Sequence, residues 1–225
     1  GGCTALEYIS VDAEEVGEVA FGGCRALKDV SIGANVKNWG DRVFQGCNKM
    51  QAIHVDAGNP AFTSVDAVLY NKDMTTIIYS SPLNRGQYGY QVRGEFVIPE
   101  TVTRVAATDA FGDLTSLTIP STLVNIGENT FRGCVSLKDV YNYATTPQQI
   151  NAAFNGQVFD RPDWNKCKLH VLPGCKAAYQ AAEGWKEFEV IEEDLTLDGT
   201  VAEDNTPETV RNAVRLWLSD SYYWY

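Results

Sequence analysis

The sequence repeats one short motif, in which a glycine–cysteine pair precedes a leucine or methionine and then a strand-like stretch of valine and isoleucine. The motif contains Cys24, Cys47 and Cys134, and a fragment of it with Cys3 opens the chain. The first three cysteines are 21 and 23 residues apart. A fixed period in this range is typical of a solenoid, whose units bury their apolar faces only against neighbouring units. The sequence therefore predicts a coil with a long repetitive surface.

Each repeat also carries two apolar residues two positions apart, a spacing that puts both side chains on one face of a strand. The first residues of these pairs are Ile9, Val30, Ile53, Ile77, Phe96, Leu117, Val140 and Leu169. Asn142 interrupts the second position. We predict a mainly β solenoid, a right-handed leucine-rich-repeat coil of about eight turns with a parallel strand ladder. Inside it we expect a stacked spine of Phe44, Phe111 and Phe131, and on it a small hairpin at 66–73.

These motifs resemble the BspA-like leucine-rich repeat family, which is found largely in bacterial surface proteins. The resemblance rests on the Phe-x-Gly-Cys units at 44 and 131, the Ile-Pro pieces at 98 and 119, the 68–72 hairpin and the closing segment 169–185. It covers roughly residues 3–193, apart from a shortened unit at Phe111 and an excursion at 143–164. The resemblance implies binding of a protein or of extracellular matrix at a cell surface, without identifying the ligand.

The charge and hydropathy of the chain exclude several classes of function. Its net charge is −11, which repels nucleic acid and anionic membrane surfaces. No run of 18 apolar residues is present, so we expect no membrane insertion. Because the chain begins inside a repeat, we expect an export signal upstream and an extracellular or cell-surface location.

The cysteines and histidines predict neither a metal site nor a cofactor. Four cysteines, Cys3 included, share one repeat position, so we expect them to be small buried hydrophobes. A disulfide between Cys167 and Cys175, which flank the last strand, stays an open question. The two histidines are far apart in sequence. The acidic stretch 194–205 faintly resembles a calcium loop but ends in asparagine instead of the bidentate glutamate.

The chain divides into a predicted solenoid at 1–193 and an acidic linker with an amphipathic helix at 194–225. Thr206 and Pro207 have the form of a helix start, and apolar residues follow at helical spacing as far as Leu218. The aromatic cluster 221–225 is compatible with packing on its own domain, with an interface and with sugar stacking.

We find none of the sequence motifs of hydrolases, metalloproteases or nucleotide-binding enzymes, so we expect a non-catalytic binding or adhesion module. The residue between the two core positions of each strand should face outward. The predicted binding column is His54, Ile78, Val97, Thr118, Tyr141 and His170. Ordinary β-propensity explains the same residues, as does cover by the hairpin or by 143–164. The alternatives are carbohydrate recognition by Tyr141, Tyr143 and Trp164, and an architectural spacer that carries another domain.

Overall fold

The structure is a computed structural model that describes residues 2–65, 67–80, 94–106, 114–127, 130, 134, 136–150 and 166–197. Within these ranges the chain forms sixteen short strands and one helix. The strands are β1 (Tyr8–Val11), β2 (Glu15–Val16), β3 (Asp29–Ile32), β4 (Asn38–Trp39), β5 (Ala52–Val55), β6 (Phe62–Val65), β7 (Val68–Asn71), β8 (Thr76–Ser80), β9 (Glu95–Val97), β10 (Arg104–Val105), β11 (Ser116–Ile119), β12 (Asn125–Ile126), β13 (Asp139–Asn142), β14 (Gln149–Ile150), β15 (Lys168–Val171) and β16 (Val190–Glu192). The helix, α1, is Lys176–Ala181.

The front of the coil consists of two parallel sheets. The N-terminal ladder has the order β1-β3-β5, and the C-terminal ladder has the order β9-β11-β13-β15-β16. Equivalent residues lie side by side in each ladder, for example Ile9, Val30 and Ile53. Val30 and Leu117 are fully buried, as the period-2 pattern predicts. The predicted parallel solenoid is therefore confirmed.

The back of the coil is built from the second apolar pair of each repeat. Strands β2 and β4 pair in the N-terminal part, and β8, β10, β12 and β14 pair in parallel in the C-terminal part. A front strand and a back strand together make one turn. In the described residues this gives six turns, with β15 and β16 closing the coil, so the expected eight is an overcount.

Strand β8 lies at the back of the coil, which corrects the position that we predicted for Ile77. Ile77 lies beside Val105, a back-strand residue, and not beside Phe96. The hairpin β6–β7 is the reason, because β7 pairs antiparallel with β8 and holds β8 in the back sheet. The hairpin therefore does not stand on the coil. It is part of the back sheet and interrupts the front ladder between β5 and β9.

The interruption divides the apolar interior into two clusters. Leu69 belongs to the N-terminal core, whereas Val68 and Tyr70 on the same strand belong to the C-terminal core. Asn59 secures the approach to this partition. Its amide donates to the carbonyls of Gly33 and Val36 at 2.7 and 3.0 Å, and its oxygen accepts from the backbone of the following loop.

The glycine–cysteine pair of the motif forms the corner of the coil. Gly23 and Gly46 have φ of +74° and +77°, a left-handed conformation that favours glycine. The cysteines that follow are buried, and the Cys47 thiol donates to the carbonyl of Phe21 in the preceding turn at 3.2 Å. The motif therefore encodes both a tight turn and a small apolar group with one donor.

Cys3 corrects the expectation that all cysteines of the motif are buried. It is exposed, because no turn precedes it in this sequence to cover it. The other five cysteines are buried, and all six are free thiols, so Cys167 and Cys175 are not joined. Cys167 donates its thiol hydrogen to the carbonyl of Leu137 at 2.7 Å.

The predicted aromatic spine is present where the structure describes it. The rings of Phe21 and Phe44 stack with centroids 6.0 Å apart, and Tyr79 meets Phe44 edge-on at 5.0 Å. Phe111 and Phe131 lie outside the described residues.

The C-terminal end of the coil is covered by the segment around α1. Tyr179 and Trp185 are fully buried there. The Tyr179 hydroxyl donates to the carbonyl of Ala144 at 2.9 Å, and the Trp185 indole donates to the carbonyl of Gln148 at 3.0 Å. The amphipathic helix expected from Thr206 lies outside the described residues, and the division of the chain at 193/194 stays a prediction. Leu195 is nevertheless fully buried against β15.

Candidate functional site: the outward face of the strand ladders

The outward face differs between the two ladders. In the N-terminal ladder, one outward row is Tyr8, Asp29 and Ala52, and the next row is Ser10, Ser31 and His54. His54, Ser31 and Ser10 are exposed, and the Tyr8 side chain is 61% exposed. This ladder therefore presents an uncovered surface that contains an aromatic ring, a carboxylate and an imidazole.

The outward positions of the C-terminal ladder are mostly buried, which corrects our expectation of one exposed column. Thr118, Tyr141 and His170 are only 6%, 3% and 6% exposed, and Val97 is half-buried. Part of the cover comes from neighbours along the ladder, since the rings of Tyr141 and His170 stack with centroids 4.6 Å apart. A second part comes from the chain after β16, whose Asp194 lies against His170.

Ile78 does not lie in this column, because β8 belongs to the back sheet. Its side chain is half-buried and packs against the N-terminal core. The structure therefore brings Val97, Thr118, Tyr141 and His170 together in one row, leaves His54 in the separate N-terminal ladder and removes Ile78 from both.

A histidine held by carboxylates lies at the C-terminal end of this row. His170 is the third residue of β15, with Tyr141 of β13 on one side and Glu192 of β16 on the other. Its Nδ1 lies 2.8 Å from Asp194 Oδ2 and 3.8 Å from Glu192 Oε2. Its Nε2 lies 3.2 Å from Asp139 Oδ1. Both ring nitrogens thus have a carboxylate partner.

The surroundings of His170 favour its charged form. Burial alone lowers the pKa of the imidazole, but hydrogen bonds to Asp139 and Asp194, together with the charges of these carboxylates, raise it above its ordinary value. Burial also raises the pKa of the adjacent Tyr141 hydroxyl, with nearby carboxylates such as Asp139 adding to the effect. Tyr141 therefore stays neutral beside an imidazole that attracts protons.

Sequence reasoning missed Asp139, Glu192 and Asp194 as partners of His170. The carboxylates lie 31, 22 and 24 residues from the histidine in sequence. The last two distances are close to one repeat, so the period itself contained a signal. It was overlooked because β16, with its core residue Ile191, was not counted as a strand of the ladder.

The carbohydrate alternative loses support at two of its three aromatic residues. Tyr141 is buried and Tyr143 is half-buried against the C-terminal core. Trp164, the aromatic cluster 221–225 and the acidic stretch from 198 onward lie outside the described residues. In the part of the chain that the structure describes, no helix has the length and apolar character needed to cross a bilayer.

Comparisons with solved structures agree with the fold. A leucine-rich repeat protein from Eubacterium ventriosum ATCC 27560 superposes with a TM-score of 0.52 at 18% identity, over 74% of this chain and 48% of the other. A leucine rich cell surface protein from Faecalibacterium prausnitzii A2-165 gives 0.47 at 17% identity, over 94% and 63%. The pneumococcal vaccine antigen PcpA gives 0.43 at 16% identity, over 85% and 69%. The chain thus spans about half the length of the first of these proteins.

Sequence comparison gives the family. No curated protein matches the sequence significantly. The profile of the BspA type leucine rich repeat region matches in six copies, over residues 1–90 and 93–162. The repeat motif, the parallel ladders and this match agree, and the chain belongs to the BspA-type leucine-rich repeat family.

Proposed function

We propose that this chain is a non-catalytic binding module of a bacterial cell surface, which recognises a protein or extracellular-matrix partner through the outward face of its N-terminal ladder. Leucine-rich repeat arrays are generally binding scaffolds. The observation that carries the proposal is the difference in exposure between the ladders. The outward residues of β1, β3 and β5 are available to a partner, whereas Thr118, Tyr141 and His170 are buried.

Tyr8 is the expected anchor of this contact. It lies on β1, at the edge of the sheet, directly beside Asp29 of β3. Tyrosine is enriched among the residues that dominate binding energy, because its rigid ring covers a large area and its hydroxyl forms hydrogen bonds. The adjacent ion pair between Lys28 and Glu7, with a nitrogen–oxygen distance of 2.9 Å, gives the surface a charged rim.

The experiment titrates the purified chain against a panel of extracellular-matrix proteins by biolayer interferometry. Tyr8→Ala and Ser31→Arg alter the proposed face. Val124→Ser is the matched control, because Val124 is 60% exposed, similar to Tyr8, but adjoins β12 at the back of the coil. We expect Tyr8→Ala to weaken binding by about 1–2 kcal/mol, or roughly 5- to 30-fold, and the control to bind like the wild type.

Two other outcomes count against the proposal. Equal affinity of the Tyr8 and Ser31 variants, with or without an effect at Val124, would move the contact away from this face. Absence of binding to every matrix protein would support the architectural spacer, and a positive glycan array that depends on Tyr8 would support sugar stacking instead.

A further inference from the structure

The carboxylate–histidine cluster at the end of the C-terminal ladder has the donor set of a metal centre. His170 Nδ1 and one carboxylate oxygen from each of Glu192 and Asp194 all lie within 4.8 Å of one another. Metal–ligand bonds of about 2.0–2.1 Å in a tetrahedral zinc site separate neighbouring ligand atoms by about 3.3 Å. The observed 2.8 Å to Asp194 and 3.8 Å to Glu192 lie on either side of that value.

The fold fixes this donor set before any ion arrives. Parallel register places His170 directly beside Glu192, and the chain leaving β16 brings Asp194 over the ring. The His170 side chain is only 8% exposed, and Tyr141 stacks on its face, so the imidazole has little freedom to turn. A preorganised ligand of this kind loses little conformational entropy on binding.

Asp139 supplies the outer partner that metal-bound histidines normally have. Its Oδ1 accepts from Nε2 of His170 at 3.2 Å, on the far side of the ring from Glu192 and Asp194. A carboxylate in that position keeps the Nε2 proton in place and directs Nδ1 at the ion. This arrangement is independent of the three ligands themselves.

Charge and access also suit a dication. Three carboxylates face one imidazole, and the ion pair that the structure gives them is that of Lys168 Nζ with Glu192 Oε1 at 3.4 Å. Glu192 and Asp194 are 39% and 25% exposed, so an ion reaches the cluster from solvent. Imidazole favours zinc and other late transition metals over calcium and magnesium, which prefer shells of six or more oxygens or water.

The geometry points to a zinc site formed by His170 Nδ1, Glu192 and Asp194, with Asp139 as a positioning residue and the fourth position open to water. On binding, Zn²⁺ takes the place of the Nδ1 proton, which leaves to solvent, while Nε2 keeps its proton on Asp139. The ion joins β15 to β16 and the following segment, so it strengthens the closure of the coil. This inference goes beyond the proposed function and does not depend on it.

The test is calorimetric titration of the chelator-treated full chain with Zn²⁺ alone, in a Cys3→Ser background that removes the exposed thiol. The variants are His170→Gln, Glu192→Gln, Asp194→Asn and Asp139→Asn. His54→Gln is the matched control, because His54 is the other histidine of the chain and is an outward, exposed residue. Circular dichroism of each metal-free variant checks that it folds.

We expect one zinc per wild-type chain, loss of that binding in His170→Gln, weaker binding in Glu192→Gln and Asp194→Asn, and unchanged binding in His54→Gln. Asp139→Asn should weaken zinc binding by about 10- to 100-fold, since its amide accepts a hydrogen bond without the charge that raises ligand basicity. Replacing Zn²⁺ with Co²⁺ should give the visible absorption of a tetrahedral nitrogen–oxygen site, and this spectrum should be absent in His170→Gln.

Excess Ca²⁺ should not displace the zinc. Either of two results would overturn the site: no one-to-one binding by the wild type, or an isotherm that persists in folded Glu192→Gln and Asp194→Asn. Binding that survives in His170→Gln would assign the ion to other residues.

Discussion

Replacing Asn142 by leucine should destabilise the protein, although it makes β13 look more like the other strands. Asn142 lies between Ile119 and Val171 in the ladder and is fully buried. Its amide donates to Gln148 Oε1 at 2.8 Å, while its oxygen accepts from Gln148 Nε2 and from the backbone N–H of Ala144, both at 3.1 Å. The two side-chain amides therefore satisfy each other inside the core.

The magnitude follows from the groups that lose a partner. Leucine leaves the Gln148 oxygen, the Gln148 nitrogen and the Ala144 N–H unsatisfied, at a cost of about 1–3 kcal/mol each. Burying an aliphatic side chain returns about 1.5–3 kcal/mol. We expect a net loss of about 2–4 kcal/mol for Asn142→Leu. In the double variant with Gln148→Leu the change should be much smaller, because both amides are then gone.

Urea unfolding followed by far-ultraviolet circular dichroism measures both variants and gives the coupling energy between the two positions. The Trp185 indole is unaffected in this comparison, since it donates to the backbone carbonyl of Gln148. A single Asn142→Leu variant as stable as the wild type, or a double variant that loses the sum of the single losses, would refute the reciprocal amide pair as the source of stability.

Three further predictions concern single groups of the coil. The Tyr79 hydroxyl is buried with no hydrogen-bond partner that the structure describes, so Tyr79→Phe should raise the free energy of unfolding by about 1 kcal/mol in urea titration. Burial raises the pKa of Cys47 to about 11 and Cys3 is exposed, so a thiol reagent at neutral pH should label one cysteine per native chain, and fast labelling of more would contradict the assigned burial. A Cβ added at Gly40 would lie 2.5 Å from the backbone nitrogen of Glu18, so Gly40→Ala should cost about 1–3 kcal/mol in thermal melts, and an unchanged melting temperature would refute this close approach.

The regular part of the fold was predictable because local rules and the repeat agree. Gly23 followed by Cys24 encodes a left-handed corner and a buried thiol, and Val30 with Ile32 encodes a strand with one apolar face. Ile77 was misplaced because Ile77-x-Tyr79 has the same alternation and follows Ile53 by 24 residues, close to the period. Antiparallel pairing of β7 with β8 depends on contacts that no spacing rule contains.

The candidate site was less predictable than the fold. The outward column was correct in register for Val97, Thr118, Tyr141 and His170, but exposure does not follow from register. A position on the outward face is exposed only when no later segment crosses it, and Asp194 approaches His170 from the chain beyond β16. The same approach creates the carboxylate cluster, so the residues that removed His170 from the exposed column are those that give it a different chemistry.

The hairpin is the structural reason that one repeat protein has two unlike outward faces. By holding β8 at the back, it breaks the front ladder after β5. It also places Leu69 in one core and Tyr70 in the other. Each ladder then has its own row of outward residues, and substitutions in one row do not alter the packing of the other. The exposed row from Tyr8 to His54 is therefore free to vary for recognition, while the buried row ending at His170 is constrained by the closure of the coil.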